Sequence, residues 1–148
     1  MPSLDEQILA ATESIPGISA LLVFGSRARG DARKDSDLDV AVLPEGGDRE
    51  AGADPDAPVL DRDLRVRIAV ALAELAPEGR VDVVLLDRAP DTLRQKIMVE
   101  GRMILCRDLP AWKALRVATM KEYGDREWAR KVYREALKKR LAQRVNGG

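Results

Sequence analysis

Residues 18–43 read ISALLVFGSRARGDARKDSDLDVAVL, and this stretch decides the fold. It begins with an apolar run rich in β-forming residues, Ile18 to Phe24, which predicts a buried strand. A polar segment with two glycines follows from Gly25 to Asp35 and is typical of a loop or of a loop leading into a short helix. A second apolar run, Leu38 to Leu43, predicts another strand. Two strands joined so closely pair antiparallel or are bridged by a short helix.

Helical and strand periodicities continue on both sides of this stretch and give the order α-β-loop-β-α-β-α-β-α. They predict a first helix that Ser3 caps, helices over Leu60–Leu75 and Asp91–Glu100, strands over Val81–Leu86 and Met103–Cys106, and a final helix over Leu109–Val145 with an interruption near Gly124. We therefore expect an α/β (α+β) fold, with a small mixed sheet of about four strands flanked by helices.

The simplest division of the chain is a domain over residues 1–106 and a C-terminal helical extension over residues 107–148 that packs on it or projects from it. Within the domain, residues 44–59 are rich in proline, glycine and acidic residues and predict a mobile acidic loop. From Ala111 to Gly148 there are eleven Lys or Arg residues and four acidic ones, so the extension is basic.

The composition narrows the chemistry that the chain can perform. Apolar residues make up 45% of its 148 residues, and 25 basic side chains balance 25 acidic ones. There is no histidine, which excludes Ser–His and Cys–His catalysis and histidine-bound zinc. Cys106 is the only cysteine and is expected to be buried, so no internal disulfide can form. Any metal must bind oxygen ligands, which favours hard cations such as Mg²⁺, Mn²⁺ or Ca²⁺.

Two acidic residues open the second predicted strand. Asp37 and Asp39 are two positions apart, so on a strand their carboxylates lie on one face and repel each other. A divalent cation removes that repulsion, and Mg²⁺ binds one or two carboxylates together with substrate phosphates. The third strand supplies a further acid, Asp82, among apolar residues. Two-metal transfer reactions need such a third carboxylate near the attacking hydroxyl.

The turn before these acids has the properties of a phosphate-binding segment. Gly25 lets the backbone turn sharply after a strand and approach a ligand, and Ser26 adds a hydroxyl and a backbone N–H. The segment lacks the pattern of a P-loop. We expect Gly25, Ser26, Arg29 and Ser36 to contribute to cofactor binding.

These residues resemble the motifs of the DNA polymerase β-like nucleotidyltransferase superfamily, in which Gly-Ser is followed by Asp-x-Asp and a later third Asp. The match is closest to the minimal nucleotidyltransferases, whose G-S-x-x-x-G and S-D-x-D motifs correspond to Gly25-Ser26 with Gly30 and to Ser36-Asp37-Leu38-Asp39. The resemblance implies that Asp37 and Asp39 bind two Mg²⁺ ions, which Mn²⁺ can replace, and that Asp82 completes one metal site and helps to deprotonate the acceptor. Gly25 and Ser26 would hold the β- and γ-phosphates of ATP.

Many minimal nucleotidyltransferases are antitoxins encoded beside a helical HEPN-type ribonuclease. The resemblance therefore implies transfer of AMP from ATP to a tyrosine of a partner HEPN toxin, which inactivates the toxin by AMPylation. The extension supports a protein partner, because it carries all four Trp and Tyr residues of the chain among arginines and lysines. These are Trp112, Tyr123, Trp128 and Tyr133.

Two other functions remain open at this point. One is a small-molecule nucleotidyltransferase of the aminoglycoside-modifying type, which shares the Gly-Ser and Asp-x-Asp motifs. The other is an antitoxin that acts by binding alone. A nucleic-acid polymerase is disfavoured because no second domain is present to hold a template, and we expect no stable nucleic-acid complex. Homo-oligomer formation is left open.

The chain has no apolar run of ~20 residues, so no membrane span is expected. Its amino-terminal residues, MPSLDEQILA, lack the pattern of a secretory signal. We therefore expect a cytoplasmic protein.

Overall fold

A computed structural model describes residues 1–30, 36–46 and 57–146, without the side chains of Arg29, residues 57–63 and Asn146. Within these ranges the chain forms a four-stranded sheet and five α-helices. The strands are β1 (Ile18–Phe24), β2 (Leu38–Pro44), β3 (Val81–Leu85) and β4 (Arg102–Cys106), and the helices are α1 (Leu4–Thr12), α2 (Ser26–Arg29), α3 (Ala57–Leu72), α4 (Asp91–Glu100) and α5 (Leu109–Asn146). Two short 3-10 turns, Ala73–Leu75 and Pro77–Gly79, join α3 to β3.

The sheet is mixed, as predicted, with the strand order β3-β2-β1-β4. β1 lies in the middle and pairs antiparallel with both β2 and β4. β2 and β3 pair in parallel, because α3 carries the chain back to the end of the sheet at which β2 begins. The predicted fold class is therefore confirmed.

Two apolar layers cover the two faces of the sheet. One face packs against α1 and α3 through residues such as Ile8 and Ile68. The other packs against α4 and α5 through Ile97 and Trp112. Because side chains alternate along a strand, Asp39 belongs to the second face, together with Ala41 and Leu43.

Several predicted boundaries shift by a few residues, each for a physical reason. The predicted 44–59 loop is too long at both ends. Pro44 pairs with Ile18 and so belongs to β2. The helix predicted from Leu60 begins at Ala57, since Pro58 needs no helical N–H donor in a first turn. Residues 47–56, the middle of the predicted mobile loop, lie outside the described residues.

The first helix begins as predicted, because the side chain of Ser3 accepts a hydrogen bond from the N–H of Glu6 at 3.2 Å. Cys106, which we expected to be buried, is exposed. It lies at the end of β4, which pairs with β1 along one edge and has no strand on its other edge among the described residues.

The last helix, α5, is continuous over 38 residues, so the interruption predicted near Gly124 is wrong. Its first half is held to the domain by buried Trp112 and Thr119 and by an ion pair between Arg126 and Asp91. From Trp128 to Val145 every residue is exposed. The predicted division between residues 106 and 107 stays a prediction. No helix in the described part of the chain is long and apolar enough to cross a membrane.

Candidate nucleotidyl-transfer site

The parallel pairing of β2 and β3 brings two of the predicted acids together. Asp39 and Asp82 are direct partners in the register, so their side chains leave the sheet on the same face. Asp39 is half-buried and Asp82 is exposed. On its other side Asp39 is paired with Phe24, the residue that precedes Gly25. The first residues of β2 and β3 and the last residue of β1 therefore form one end of the sheet, where the predicted site lies.

Gly25 lies directly against the Asp39 carboxylate. Its φ of 76° falls in the left-handed region, and a Cβ atom at this position would lie 2.3 Å from Oδ2 of Asp39. No side chain larger than that of glycine fits without moving the carboxylate or the turn. The geometry thus explains why a glycine is needed between β1 and the serine that opens α2.

Asp37 lies one residue before β2, which begins at Leu38 as predicted. Its side chain is 54% exposed, and its Oδ1 atom lies 3.0 Å from Nε of Arg80. Arg80 in turn lies one residue before β3, two positions from Asp82. Sequence reasoning missed Arg80 because the contact joins segments 43 positions apart and depends on the register of the parallel pair.

Arg27 connects the two halves of the predicted motif. Its Nη2 atom donates a hydrogen bond of 3.0 Å to the backbone carbonyl of Ser36. It thereby ties the first turn of α2 to the residue before Asp37. Sequence reasoning also missed this role, and the only available signal was the position of Arg27 directly after Gly25-Ser26.

A second arginine holds the far end of α2. Nη1 of Arg102, the first residue of β4, donates to the carbonyl of Ala28 at 3.2 Å, and its Nη2 lies 3.1 Å from Oδ1 of Asp5. Gly30 closes the helix with its N–H bonded to the carbonyl of Ser26. The side chain of Arg29, a predicted cofactor-binding residue, lies outside the described residues.

The carboxylates fit a divalent cation in their chemistry but are not preassembled around one. All three offer oxygen ligands, which Mg²⁺ prefers, and Asp37 already attracts a cationic group. Yet among the described residues no group of three or more potential ligands lies close enough to hold a metal. Asp37 and Asp82 are exposed, so their side chains can change rotamer without disturbing the core. The metal-binding roles of Asp37, Asp39 and Asp82 remain predictions.

Known proteins share this fold. A chain from a crystal structure described as a toxin–antitoxin with AMP-PNP superposes with a TM-score of 0.61, at 23% identity, over 90% of this chain and 97% of that one. A chain from a structure of a tri-AMPylated Shewanella oneidensis HEPN toxin in complex with an MNT antitoxin superposes with a TM-score of 0.56, at 21% identity, over 90% and 95% of the two chains.

Sequence comparison gives a family. A curated relative, the protein adenylyltransferase MntA of Shewanella oneidensis, is 30% identical over 92 residues, which are 62% of this chain and 57% of the relative. The chain thus matches a little over half the length of that relative. The model of the family described as "Polymerase beta, Nucleotidyltransferase" matches residues 6–109, a range that contains β1 to β4 and every residue of the site. The chain belongs to this polymerase β nucleotidyltransferase family.

Proposed function

We propose that this protein transfers AMP from ATP to a hydroxyl group of a partner protein, in a reaction that requires Mg²⁺. The observation that carries the proposal is the pairing of Asp82 with Asp39 beside the close-packed Gly25. Paired carboxylates at a sheet end next to a tight glycine turn provide a place for a metal-bound triphosphate. The acceptor that we favour is a tyrosine of a HEPN-type toxin, so that the protein acts as an antitoxin.

The relatives support this choice of nucleotide and acceptor. The curated relative is named a protein adenylyltransferase, and one similar structure contains an AMPylated HEPN toxin with its antitoxin. Another contains AMP-PNP, an analogue of ATP. Because the sequence match spans 57% of the curated relative, its activity extends to this chain only as part of the proposal.

Each of the three aspartates has a role in the transfer reaction. Asp37, Asp39 and Asp82 would hold Mg²⁺, which neutralises charge on the triphosphate and on the α-phosphate during transfer. Asp82, on the edge strand, accepts the proton of the acceptor hydroxyl, whose oxygen then bonds to the α-phosphorus. The bond from that phosphorus to the bridging oxygen breaks, and pyrophosphate leaves.

The turn residues hold the other end of the nucleotide. The backbone of Gly25 and the hydroxyl and N–H of Ser26 contact the β- and γ-phosphates, and Ser36 and Arg29 contribute further polar contacts. Arg27 keeps the phosphate-binding turn and the Asp37 segment at a fixed spacing through its bond to the Ser36 carbonyl. Most of the rate enhancement then comes from positioning and charge neutralisation.

The exposed half of α5, which we define as residues 128–145, favours a protein acceptor over a small molecule. It holds seven Lys or Arg residues and one acidic residue. Its large apolar side chains are 43% to 82% exposed, although such side chains usually pack against something. They are Trp128, Val132, Tyr133, Leu137, Leu141 and Val145. An acidic protein surface with apolar pockets complements this half of α5 in both charge and hydrophobicity.

The proposal is tested with ATP labelled on the α-phosphate, Mg²⁺ and the product of the neighbouring gene. We expect the partner to retain the label, since AMP stays on the acceptor and unlabelled pyrophosphate leaves. A wild-type protein that binds Mg²⁺–ATP yet leaves the partner unlabelled would contradict the proposal. Retained label on an aminoglycoside would support the small-molecule alternative.

The same partner tests the role of α5. Replacing Leu137 and Leu141 by serine should weaken partner binding at least tenfold while leaving Mg²⁺–ATP binding unchanged, because both side chains are exposed and distant in sequence from the site. If the protein is instead a small-molecule transferase, these two substitutions should change neither of the two binding affinities. The matched control replaces Val117, which is exposed on the first half of α5, by serine.

A second function, inhibition of the partner by binding alone, is favoured by one observation. Among the described residues, the three carboxylates are not assembled around a metal position. The exposed half of α5, in contrast, already has its large apolar side chains on the surface. The double variant Asp37→Asn with Asp39→Asn separates the two functions. If it neutralises the partner as well as the wild type does, contact rather than AMP transfer is the mechanism.

A further inference from the structure

Arg80 forms an ion pair with one of the three proposed metal ligands. Its Nε atom lies 3.0 Å from Oδ1 of Asp37, and its Nη1 atom lies 4.0 Å from Oε2 of Glu78. The backbone fixes this arrangement, because the carbonyl of Arg80 accepts a hydrogen bond of 3.1 Å from the N–H of Leu38. The guanidinium therefore approaches Asp37 from a position set by the β2–β3 ladder.

The ion pair continues the row of paired residues that carries the other two carboxylates. In the parallel register Leu38 is paired with Val81 and Asp39 with Asp82. Extending that register by one residue places Arg80 beside Asp37, on the same face as Asp39 and Asp82. This face of the sheet therefore carries the pair Asp37–Arg80 and, next to it, the pair Asp39–Asp82. Arg80 is the only cation among these four residues.

The position of Arg80 has a consequence for metal binding. The guanidinium lies against Oδ1 of a carboxylate that the proposed function assigns to Mg²⁺, so a metal ion that binds this oxygen must displace it. Displacement is feasible because both side chains are about half exposed, 46% for Arg80 and 54% for Asp37. Ion pairs that are exposed to this degree contribute little stability and break easily.

We infer that Arg80 is a resident counter-cation of Asp37 that gives way to the metal when the nucleotide binds and then interacts with the phosphates. This inference rests on the proposed function, which places the metal on Asp37. Before nucleotide binding, Arg80 neutralises Asp37 and competes with free divalent ions. After nucleotide binding, the released guanidinium has a polyanion beside it, for which its planar donors are suited. Arg80 thereby opposes binding of the metal alone and favours binding of the metal–nucleotide complex.

The substitution Arg80→Gln should change the affinity for free metal and the affinity for the metal–nucleotide complex in opposite directions. In Arg80→Gln, free Mn²⁺ should bind the nucleotide-free protein roughly two- to fivefold more tightly, because a surface ion pair no longer competes. The Mn²⁺ complex of AMP-PNP should bind the same variant several-fold more weakly, because a cation has been removed from beside the phosphates. An ordinary surface ion pair predicts neither effect.

Electron paramagnetic resonance of free Mn²⁺ measures the first affinity, and calorimetry with the preformed Mn²⁺–AMP-PNP complex measures the second. Arg116→Gln is the matched control, since it removes an exposed arginine on α5 and should change neither affinity. Arg80→Lys keeps the charge and should stay close to the wild type with nucleotide. Equal urea midpoints establish that the variants are folded.

The outcomes separate this inference from the proposed function. If Arg80→Gln leaves both affinities unchanged, or weakens binding of free Mn²⁺, the counter-cation role is wrong while the metal site stands. If the wild type binds Mn²⁺ neither alone nor with AMP-PNP, the proposed metal site fails and takes the inference with it. Opposite shifts in the two affinities support both.

Discussion

Asp82 stands beside Asp39 across the parallel pairing of β2 and β3, on the sheet face that also carries Phe24. Neighbouring strands lie about 4.8 Å apart, so the two carboxylates are close enough to repel each other when both are charged. Such a pair does not stabilise the folded chain by itself. Its value lies in the cation that it can bind.

Replacing Asp82 by asparagine should separate stability from activity. We expect AMP transfer to fall at least ~100-fold, since a metal ligand and proton acceptor is lost. The free energy of unfolding should not decrease, because a like-charge contact disappears. Urea denaturation and transfer of labelled AMP measure the two quantities. Glu13→Gln, which removes an exposed acid at the C-terminal end of α1, is the control and should alter neither. A large loss of stability in Asp82→Asn would contradict this account.

Gly25 and Gly30 offer a matched pair of alanine substitutions. Both have a positive φ, 76° and 79°, so alanine is strained at either position by about 1 kcal/mol. Only at Gly25 does the new Cβ collide with Asp39, whereas no described atom lies within 4 Å of it at Gly30. Gly25→Ala should therefore abolish Mg²⁺–ATP binding, and Gly30→Ala should retain it with a modest loss of stability. Equal loss of nucleotide binding in the two variants would refute a specific role for the Gly25–Asp39 contact.

Arg27 should affect nucleotide affinity through the spacing of the motif. Arg27→Met removes the hydrogen bond to the Ser36 carbonyl and should lower the free energy of unfolding by about 1–2 kcal/mol. The KM for ATP should rise more than kcat falls, because the phosphate-binding turn is no longer held beside the Asp37 segment. Steady-state kinetics distinguishes this pattern from a direct catalytic role, which would lower kcat first. Arg116→Met serves as the control for loss of a surface arginine.

Asp91, the buried acid at the start of α4, anchors α5 to the domain through an ion pair. Asp91 is 1% exposed and lies 2.7 Å from Nη1 of Arg126, which is 61% exposed. Neither carboxylate oxygen makes a well-aligned hydrogen bond to a described residue, so we treat the contact as an ion pair. Arg126→Met leaves a buried charge without a partner and should lower the free energy of unfolding by about 1–2 kcal/mol, after allowance for solvent around the arginine.

Arg130 provides the comparison for Arg126. It pairs with Glu127 at 2.8 Å on the solvent side of α5, where both side chains are exposed. Arg130→Met should therefore change the free energy of unfolding by less than about 0.5 kcal/mol. If both variants lose the same stability in urea denaturation, the Asp91–Arg126 pair does not anchor the helix.

The sequence correctly predicted those features of the fold that depend on residues close together in the chain. Apolar runs placed β1 and β2 to within a residue, and Ser3 identified the start of α1, because strand burial and helix capping leave their signals in adjacent positions. Gly-Ser and Asp-x-Asp identified the candidate site for the same reason. The third acid, Asp82, was found because a charge inside an apolar run needs an explanation.

The errors arose where tertiary structure overrides local preference. Gly124 lies inside α5 because the residues around it are good helix formers and the ion pair at Arg126 holds the next turn. Cys106 is exposed because β4 lies at an edge of the described sheet, which an apolar sequence does not reveal. Arg80 and Arg27 contact Asp37 and Ser36 across long sequence separations, so only the folded register brings them to the site.

The projecting end of α5 also determines where a protease can cut. From Trp128 to Val145 every residue is exposed, so this end opens locally without the cost of global unfolding, and its lysines and arginines are trypsin sites. Brief digestion of the isolated protein should trim the helix back towards the Asp91–Arg126 pair and leave the sheet intact. A partner that occupies this end would protect it. The length of the protected fragment then gives the footprint of that partner without a structure of the complex.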